Sequence, residues 1–265
     1  MYHFDYQRPT DRAAAAAAVK GADARFLAGG QTLIQAMKLR LSQSERLVDL
    51  GGIADLKGIR LDGGNVVIGA MTPHSAVARS AEVQKAVPAL AELAAGIGDA
   101  MVRNVGTLGG SIANADPAAD YPAAVLGLGA TIQTDRRSIQ GDDFFTAMYE
   151  TALEPGELIV SVSFPATPKA AYVKFKQPAS RFALVGVFVA QAAGGVRVAV
   201  SGAKSSVYRC AELEAALAKS FTAAAAKAVK LPSDDMNSDL HGSAQYRAAM
   251  VSVMAARAVD KVLAR

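Results

Sequence analysis

Arg103-Asn104-Val105-Gly106-Thr107-Leu108-Gly109-Gly110-Ser111, followed at once by Ile112-Ala113-Asn114-Ala115-Asp116-Pro117-Ala118-Ala119-Asp120-Tyr121, is a dense cluster of small and polar residues. Glycine loses the most backbone entropy on folding, so this density is costly. It makes sense where the main chain must touch a ligand along its length. The alternative is a turn-rich surface loop, and the glycine-punctuated region from Gly96 to Gly110 does read as a loop. A second glycine pair lies upstream in Ala28-Gly29-Gly30-Gln31-Thr32. There Arg25 to Ala28 reads as a short strand, Gly29-Gly30 as a turn, and Thr32 to Leu39 as a helix. Paired glycines at a helix start let backbone N–H groups approach a pyrophosphate. Gln31 and Thr32 add side-chain donors, and Leu33 with Ile34 offers an apolar floor for a planar ring. Neither segment fits Gly-x-Gly-x-x-Gly or the phosphate loop ending in Gly-Lys-Ser/Thr, so a Rossmann or nucleotide-triphosphatase reading fails.

Outward from these two segments, the first two thirds of the chain alternate short strands and helices. Thr10 can cap the alanine-rich helix from Ala13 to Val19. Gly63-Gly64 turns Ile59 to Leu61 back on Asn65 to Ile68 as a hairpin. Thr72-Pro73 opens a helix to about Arg79, Pro88 opens another to about Ala95, and Tyr121 to Leu126 is helical. Thr131 to Thr134 and Leu158 to Phe164 are extended, and Pro165 with Pro168 marks a break, which puts a domain boundary near Thr167. Beyond it, Tyr172 to Lys176, Val185 to Ala192 and Val196 to Ser201 predict a three-stranded antiparallel sheet. Helices over about Ala211 to Leu217, Thr222 to Val229 and Ser243 to Leu263 complete an α+β domain.

Composition narrows the function. With 51% hydrophobic and 20% charged residues the chain can build a substantial core. The 28 basic and 24 acidic residues give a net charge of +4 without a basic tract, which argues against nucleic acid as a partner. No apolar run approaches the roughly 20 residues of a membrane span, and Met1-Tyr2-His3-Phe4-Asp5 lacks signal-peptide character, so a cytoplasmic location is expected. The single cysteine, Cys210, can form neither an internal disulfide nor an iron–sulfur cluster by itself. The three histidines, His3, His74 and His241, share no metal-ligand spacing.

Both glycine segments, in this order and separation, resemble the FAD-binding domain of molybdenum hydroxylases such as xanthine and carbon monoxide dehydrogenases. The resemblance extends to Lys174-Phe175-Lys176-Gln177-Pro178-Ala179-Ser180-Arg181-Phe182-Ala183 and to Asn237-Ser238-Asp239-Leu240-His241-Gly242-Ser243-Ala244-Gln245-Tyr246-Arg247, and so covers essentially the whole chain. It implies a two-part FAD-binding domain of the PCMH type over residues 1–167, then a C-terminal domain of the CO-dehydrogenase flavoprotein type over 168–265. It further implies that Leu27, Ala28, Gly29, Gly30, Gln31, Thr32, Leu33 and Ile34 wrap the FAD pyrophosphate, with Gly29, Gly30 and Thr32 closest. Thr107, Gly109, Gly110 and Ser111 lie at the phosphates, and Asp120 at a polar part of the cofactor, where a carboxylate accepts from ribose hydroxyls. Many relatives carry Asn where this chain has Ser111. Leu158, with Ile159, matches a strand bordering the adenine or flavin, the alternative being simply a buried strand, and Lys176 matches a basic residue near the ring, the alternative being a solvated surface lysine. Tyr121 belongs either beside the isoalloxazine or in the core, and His241 and Arg247 read as structural or interfacial.

The division of labour in this family implies molybdopterin in a large subunit, 2Fe–2S clusters in a small one and FAD in a medium subunit resembling this chain, as a dimer of heterotrimers. Electrons would flow from molybdenum through iron–sulfur to flavin and on to an external acceptor such as NAD, a quinone or oxygen. No residue of this chain need act as a catalytic nucleophile. Two other readings stand beside this one: an FAD-free structural or assembly subunit, and a stand-alone flavin oxidoreductase with its own organic substrate.

Overall fold

The computed structural model describes residues 1–21 and 23–265. The chain opens with a three-stranded parallel sheet in the order Asp5–Gln7, Arg46–Asp49, Ala24–Leu27. The helix Arg12–Ala18 crosses between its first two strands in sequence; its cap is Asp11, not Thr10, and the carboxylate accepts from the Ala14 amide at 2.8 Å. Either residue type can cap, but a carboxylate also complements the positive end of the helix dipole.

A five-stranded antiparallel sheet follows, ordered Ile59–Asp62, Asn65–Gly69, Ile159–Pro165, Thr131–Thr134, Ser138–Gln140. The expected hairpin is its first pair, with Asp62 opposite Asn65. Between Asn65–Gly69 and Thr131–Thr134 lies a run of short helices: His74–Arg79, Ala81–Ala86, Pro88–Ala95, Ala100–Val105, Leu108–Asn114 and Tyr121–Leu128. The expectation of a loop from Gly96 to Gly110 is therefore corrected. Ala100–Val105 is a helix capped by Asp99, and Gly109-Gly110 lies inside the next one. Glycine suggested a turn there, but its role is close packing. A Cβ on Gly109 would stand 2.5 Å from the Ala70 Cβ and 2.7 Å from its carbonyl oxygen.

The C-terminal sheet has four strands, one more than expected: Ala170–Lys176, Ala183–Ala192, Gly195–Ser201 and the two-residue Tyr208–Arg209. Both of its faces are covered, which is why Ala183–Ala192 reads as an almost unbroken apolar run. Val187 and Val189 join a core with the helices Ala211–Lys219, Ala223–Ala228 and Ala244–Leu263. Tyr172, Phe188 and Ala199 face the opposite way, into the core of the five-stranded sheet and its helices. Gly127 lets the Tyr121–Leu128 helix rest on the Phe188 ring, since a Cβ there would meet that ring at 2.5 Å. Burying a side chain such as Phe188 contributes about 1.5–3 kcal/mol, and this one does so across the two halves of the chain.

Candidate functional site

The two glycine segments meet. A Cβ on Gly29 would lie 2.2 Å from the Val105 carbonyl oxygen, and one on Gly110 3.1 Å from the Ala28 Cβ. Together they wall a cavity of about 500 Å3, closed on its third side by Leu158 and Ile159 and at its mouth by Ser180, Arg181 and Phe182 of the C-terminal hairpin. Of the residues expected at the site, Leu27, Ala28, Gly29, Gly30, Gln31, Thr32, Leu33, Thr107, Gly109, Gly110, Ser111, Asp120 and Leu158 line this one space. Ile34 does not: it packs beneath Gly30, whose φ of 67° turns the chain over it. Lys176 sits exposed at the end of its strand, outside the lining. Lys174, two residues earlier and also outside the lining, is the cation of that strand that reaches the cavity-lining Asp120.

The two segments differ in what their amides offer. At the second, the Leu108 amide donates to the Thr72 carbonyl, Gly109 to Ala70, and Gly110 to the Thr107 hydroxyl. At the first, Thr32 stands at the N-terminus of the Leu33–Lys38 helix without a side-chain capping bond, and among the described residues the amides of Gln31, Thr32 and Leu33 have no protein acceptor. Three unpaired donors at a helix start form an anion cradle, and the neighbouring wall of Leu27, Leu158 and Ile159 is apolar. These residues fit a long ligand with a charged middle and a planar end.

Asp120 is buried, with one oxygen accepting from the Lys174 ammonium and the other from the Tyr172 hydroxyl, both at 2.6 Å. Burial pushes its carboxyl upward against the pull of these partners. Tyr121 is fully buried against His74 and away from the cavity lining, so it belongs to the core; burial raises its hydroxyl. Arg247, 4% exposed, donates to the carbonyls of Leu184 and Gly202 and pairs with Asp239, while His241 is exposed. That motif ties a loop to the C-terminal sheet.

Among the lining residues that were not anticipated, three carry a shifted titratable group. His74 is buried; desolvation, aided by the nearby Arg103 charge, pushes its imidazole down to about 4. Asp116 is raised by burial and accepts from the Ala118 amide at 2.9 Å. Glu157 is held down to about 2, chiefly by Arg137 and further by the Glu154 amide and the Thr134 hydroxyl. Asp116 belongs to the small, polar cluster that follows the second glycine segment, whereas no local pattern marks His74 or Glu157 and only the tertiary fold brings them to the wall.

For both His74 and Glu157 the folded value lies below the unfolded one, so each stabilises above its ordinary pKa, and that contribution is lost as pH falls through the folded value. Stability should decline first from pH 6.5 to about 4, where only the unfolded chain protonates His74, and again from 4.5 toward 2 for Glu157. Urea unfolding across this range checks it. His74→Gln should flatten the first decline, and an unaltered profile would refute the assignment to His74.

The sequence matches the family described as the FAD binding domain in molybdopterin dehydrogenase over residues 2–167. It is 37% identical to the carbon monoxide dehydrogenase medium chain of Hydrogenophaga pseudoflava, over 99% of this chain and 98% of that one. It is 33% identical to the nicotine 6-hydroxylase medium subunit of Paenarthrobacter nicotinovorans, over 92% and 91%. The fold superposes on the carbon monoxide dehydrogenase from H. pseudoflava that lacks the Mo-pyranopterin moiety with a TM-score of 0.89 at 36% identity, covering 99% of this chain and 98% of that chain. On quinoline 2-oxidoreductase from Pseudomonas putida 86 it superposes with a TM-score of 0.88 at 29% identity, covering 98% and 97%. Matched along nearly its full length in sequence and in fold, and carrying a cavity with the required chemistry, the chain belongs to the FAD-binding medium subunits of the molybdenum hydroxylases, a family of oxidoreductases.

Proposed function

We propose that this chain is the electron-transfer subunit of a molybdenum hydroxylase, in which bound FAD supplies one- and two-electron redox chemistry between the 2Fe–2S clusters of a small partner subunit and an external acceptor. The large subunit would hold the molybdopterin, in a dimer of heterotrimers located in the cytoplasm. Among the described residues no helix is long and apolar enough to cross a membrane. The observation that carries the reading is the row of unpaired amides at Gln31, Thr32 and Leu33 opening onto an apolar cavity.

In this reading those amides and the Gln31 and Thr32 side chains hold the pyrophosphate, and Gly29 and Gly30 keep side chains out of its way. Ser111 adds a hydroxyl from the facing helix; Thr107, Gly109 and Gly110 place that helix and shape the wall. Leu27 and Leu158 exclude water from the planar ring. Asp120 retains a lone pair for a ribose hydroxyl beyond its two internal bonds, because a carboxylate has about four acceptor positions. Lys176 would act on the ring only through the local field. Residues 1–167 and 168–265 are read as the two domains, with the turn around Thr167 between the strands ending at Pro165 and beginning at Ala170.

The first test is the visible spectrum of the purified chain together with the cofactor released by heat. Near-stoichiometric FAD is expected. Colourless protein that also fails to take up added FAD would favour an assembly subunit, and turnover of a small organic substrate by the isolated chain would favour a free-standing oxidoreductase.

A further inference from the structure

His74 opens the helix His74–Arg79 beside the seam where the two glycine segments meet. Its Nε2–Cδ2 edge rests on Gly106: a Cβ there would lie 2.7 Å from Nε2 and 3.0 Å from Cδ2. Gly106 in turn abuts the first segment, since a Cβ on Gly29 would lie 2.8 Å from its Cα. His74, Gly106 and Gly29 all line the cavity. The imidazole is also held by the Tyr121 ring, with centroids 5.3 Å apart. Yet among the described residues no protein hydrogen bond engages the ring, and its Nδ1 is sealed without a partner. Other buried side-chain atoms lack partners, but among the described residues only His74 combines such an atom with a place in this cavity's lining. Buried polar groups are nearly always paired, so an unpaired imidazole at a cavity wall points to a partner that arrives with the ligand.

A neutral imidazole carries one N–H. On Nδ1 that donor would stay sealed and unpaired, the costlier choice, because orphaned N–H groups are rarer in native interiors than orphaned acceptors. On Nε2 it lies at the edge that meets the cavity wall, where a ligand atom can accept it. Desolvation and the Arg103 charge keep the ring uncharged near neutral pH, which suits an acceptor without formal charge, such as a ribose oxygen or a ring nitrogen. The pyrophosphate already has the Gln31–Leu33 amides. Of the two remaining ends of FAD, the flavin has to lie where a redox partner can approach. His74 is 5% exposed, so its corner is left to the adenosine end.

We propose that His74 is a specificity residue whose Nε2–H donates to an uncharged acceptor on the adenosine half of FAD, and so favours the adenine dinucleotide over a flavin mononucleotide. The inference rests on the cavity holding FAD.

Flavin-fluorescence titration of the full chain with FAD, with competition by ADP and by FMN and with thermal melts in parallel, tests it. His74→Leu removes one hydrogen bond and should weaken both FAD and ADP by about tenfold, leaving FMN unaffected. His74→Gln, which places an uncharged N–H donor near the Nε2 position, should keep most of both affinities. In the native chain carrying isotope-labelled histidine, the imidazole signal that His74→Gln removes should report the Nε2–H tautomer, and its proton should shift when ADP binds. A merely structural histidine would show no such shift, so this measurement decides the matter if His74→Leu melts early. Native-like ADP affinity in His74→Leu, equal losses in the two variants, or an Nδ1–H tautomer would overturn the proposal. So would a loss of FAD affinity with ADP untouched, because the donor would then serve the flavin ring. If the native chain binds no FAD, the electron-transfer reading fails separately. ADP binding that still weakens in His74→Leu would then support the donor, and a chain that does not bind ADP would overturn it.

Discussion

Replacing Gly29 by alanine is expected to lower the melting temperature on the order of 10 °C and to abolish stable FAD retention. The added methyl would sit 2.2 Å from the Val105 carbonyl oxygen, 2.8 Å from the Gly106 Cα and 2.9 Å from the Val105 carbonyl carbon, all main-chain atoms that no rotamer change can move. Overpacking of a well-filled interior costs about 1–3 kcal/mol, and a clash of backbone on backbone belongs at the upper end. In a chain of this size each kcal/mol shifts the melting temperature by roughly 2–4 °C. The two glycine segments must separate to admit the methyl, and the cavity they wall opens with them. Gly194→Ala is the control: nothing lies within 4 Å of its Cβ position and its φ is ordinary. Thermal melts and FAD stoichiometry of the two variants decide the matter. A Gly29→Ala protein that melts and retains FAD like Gly194→Ala would disprove the close-approach account.

Asp120→Ala should destabilise the chain by about 3–5 kcal/mol, the range for stripping one partner from a buried ion pair. The side chains of Asp120 and Lys174 are 5% and 10% exposed, and the Tyr172 hydroxyl would be left with only Ser201 at 3.2 Å. Most of the effect comes from the ammonium left without its counter-charge, so adding Lys174→Met should restore a substantial part of the loss. Denaturant unfolding of the single and double variants gives the coupling directly. A single variant within about 1 kcal/mol of native stability, or a double variant with fully additive losses, would show that the pair is not coupled. The effect matters to the site because Asp120 lines the cavity just ahead of the helix Tyr121–Leu128, whereas Lys174 and Tyr172 lie on the C-terminal sheet. The ion pair and the hydroxyl bond thus tie a cavity-lining residue to the strand that leads into Ser180, Arg181 and Phe182, which line the same cavity.

Much of this architecture was legible from local pattern. The hairpin around Gly63-Gly64, the Pro88–Ala95 helix and the long terminal helix all follow from signals within a few residues: a turn pair, a proline at the first helical position, an apolar stripe. The Gly96–Gly110 region was misread for a definite reason. Glycine signals both a turn and a place where chains pass closely, and only the position of Ala70, far away in sequence, distinguishes the two. The site shows the same division. Both glycine segments and Asp120 were visible as a compositional oddity, and they do converge on one cavity. Lys176 stands outside the lining, exposed at the end of its strand, and alternation alone does not tell how far a lysine is covered: Lys174 on the same strand is more buried because its ammonium meets the Gly96 carbonyl and Asp120. His74 and Glu157 had no signal, because single polar residues become wall residues only through tertiary placement, while Asp116 lay within the small, polar cluster without being distinguished from its neighbours.

The shared cover of the C-terminal sheet also bears on how the chain emerges from the ribosome. All eight residues of the helix Tyr121–Leu128 are buried, and much of what buries them lies on the strands Ala183–Ala192 and Gly195–Ser201. Synthesis at about 5–20 residues per second delivers the last of those strands roughly 4–15 s after the helix. For that interval a wholly apolar helix lacks its lid and is a natural client for a holding chaperone. Nascent chains stalled before Ser201 should therefore be captured and protease-sensitive, whereas chains released at full length fold with the helix covered.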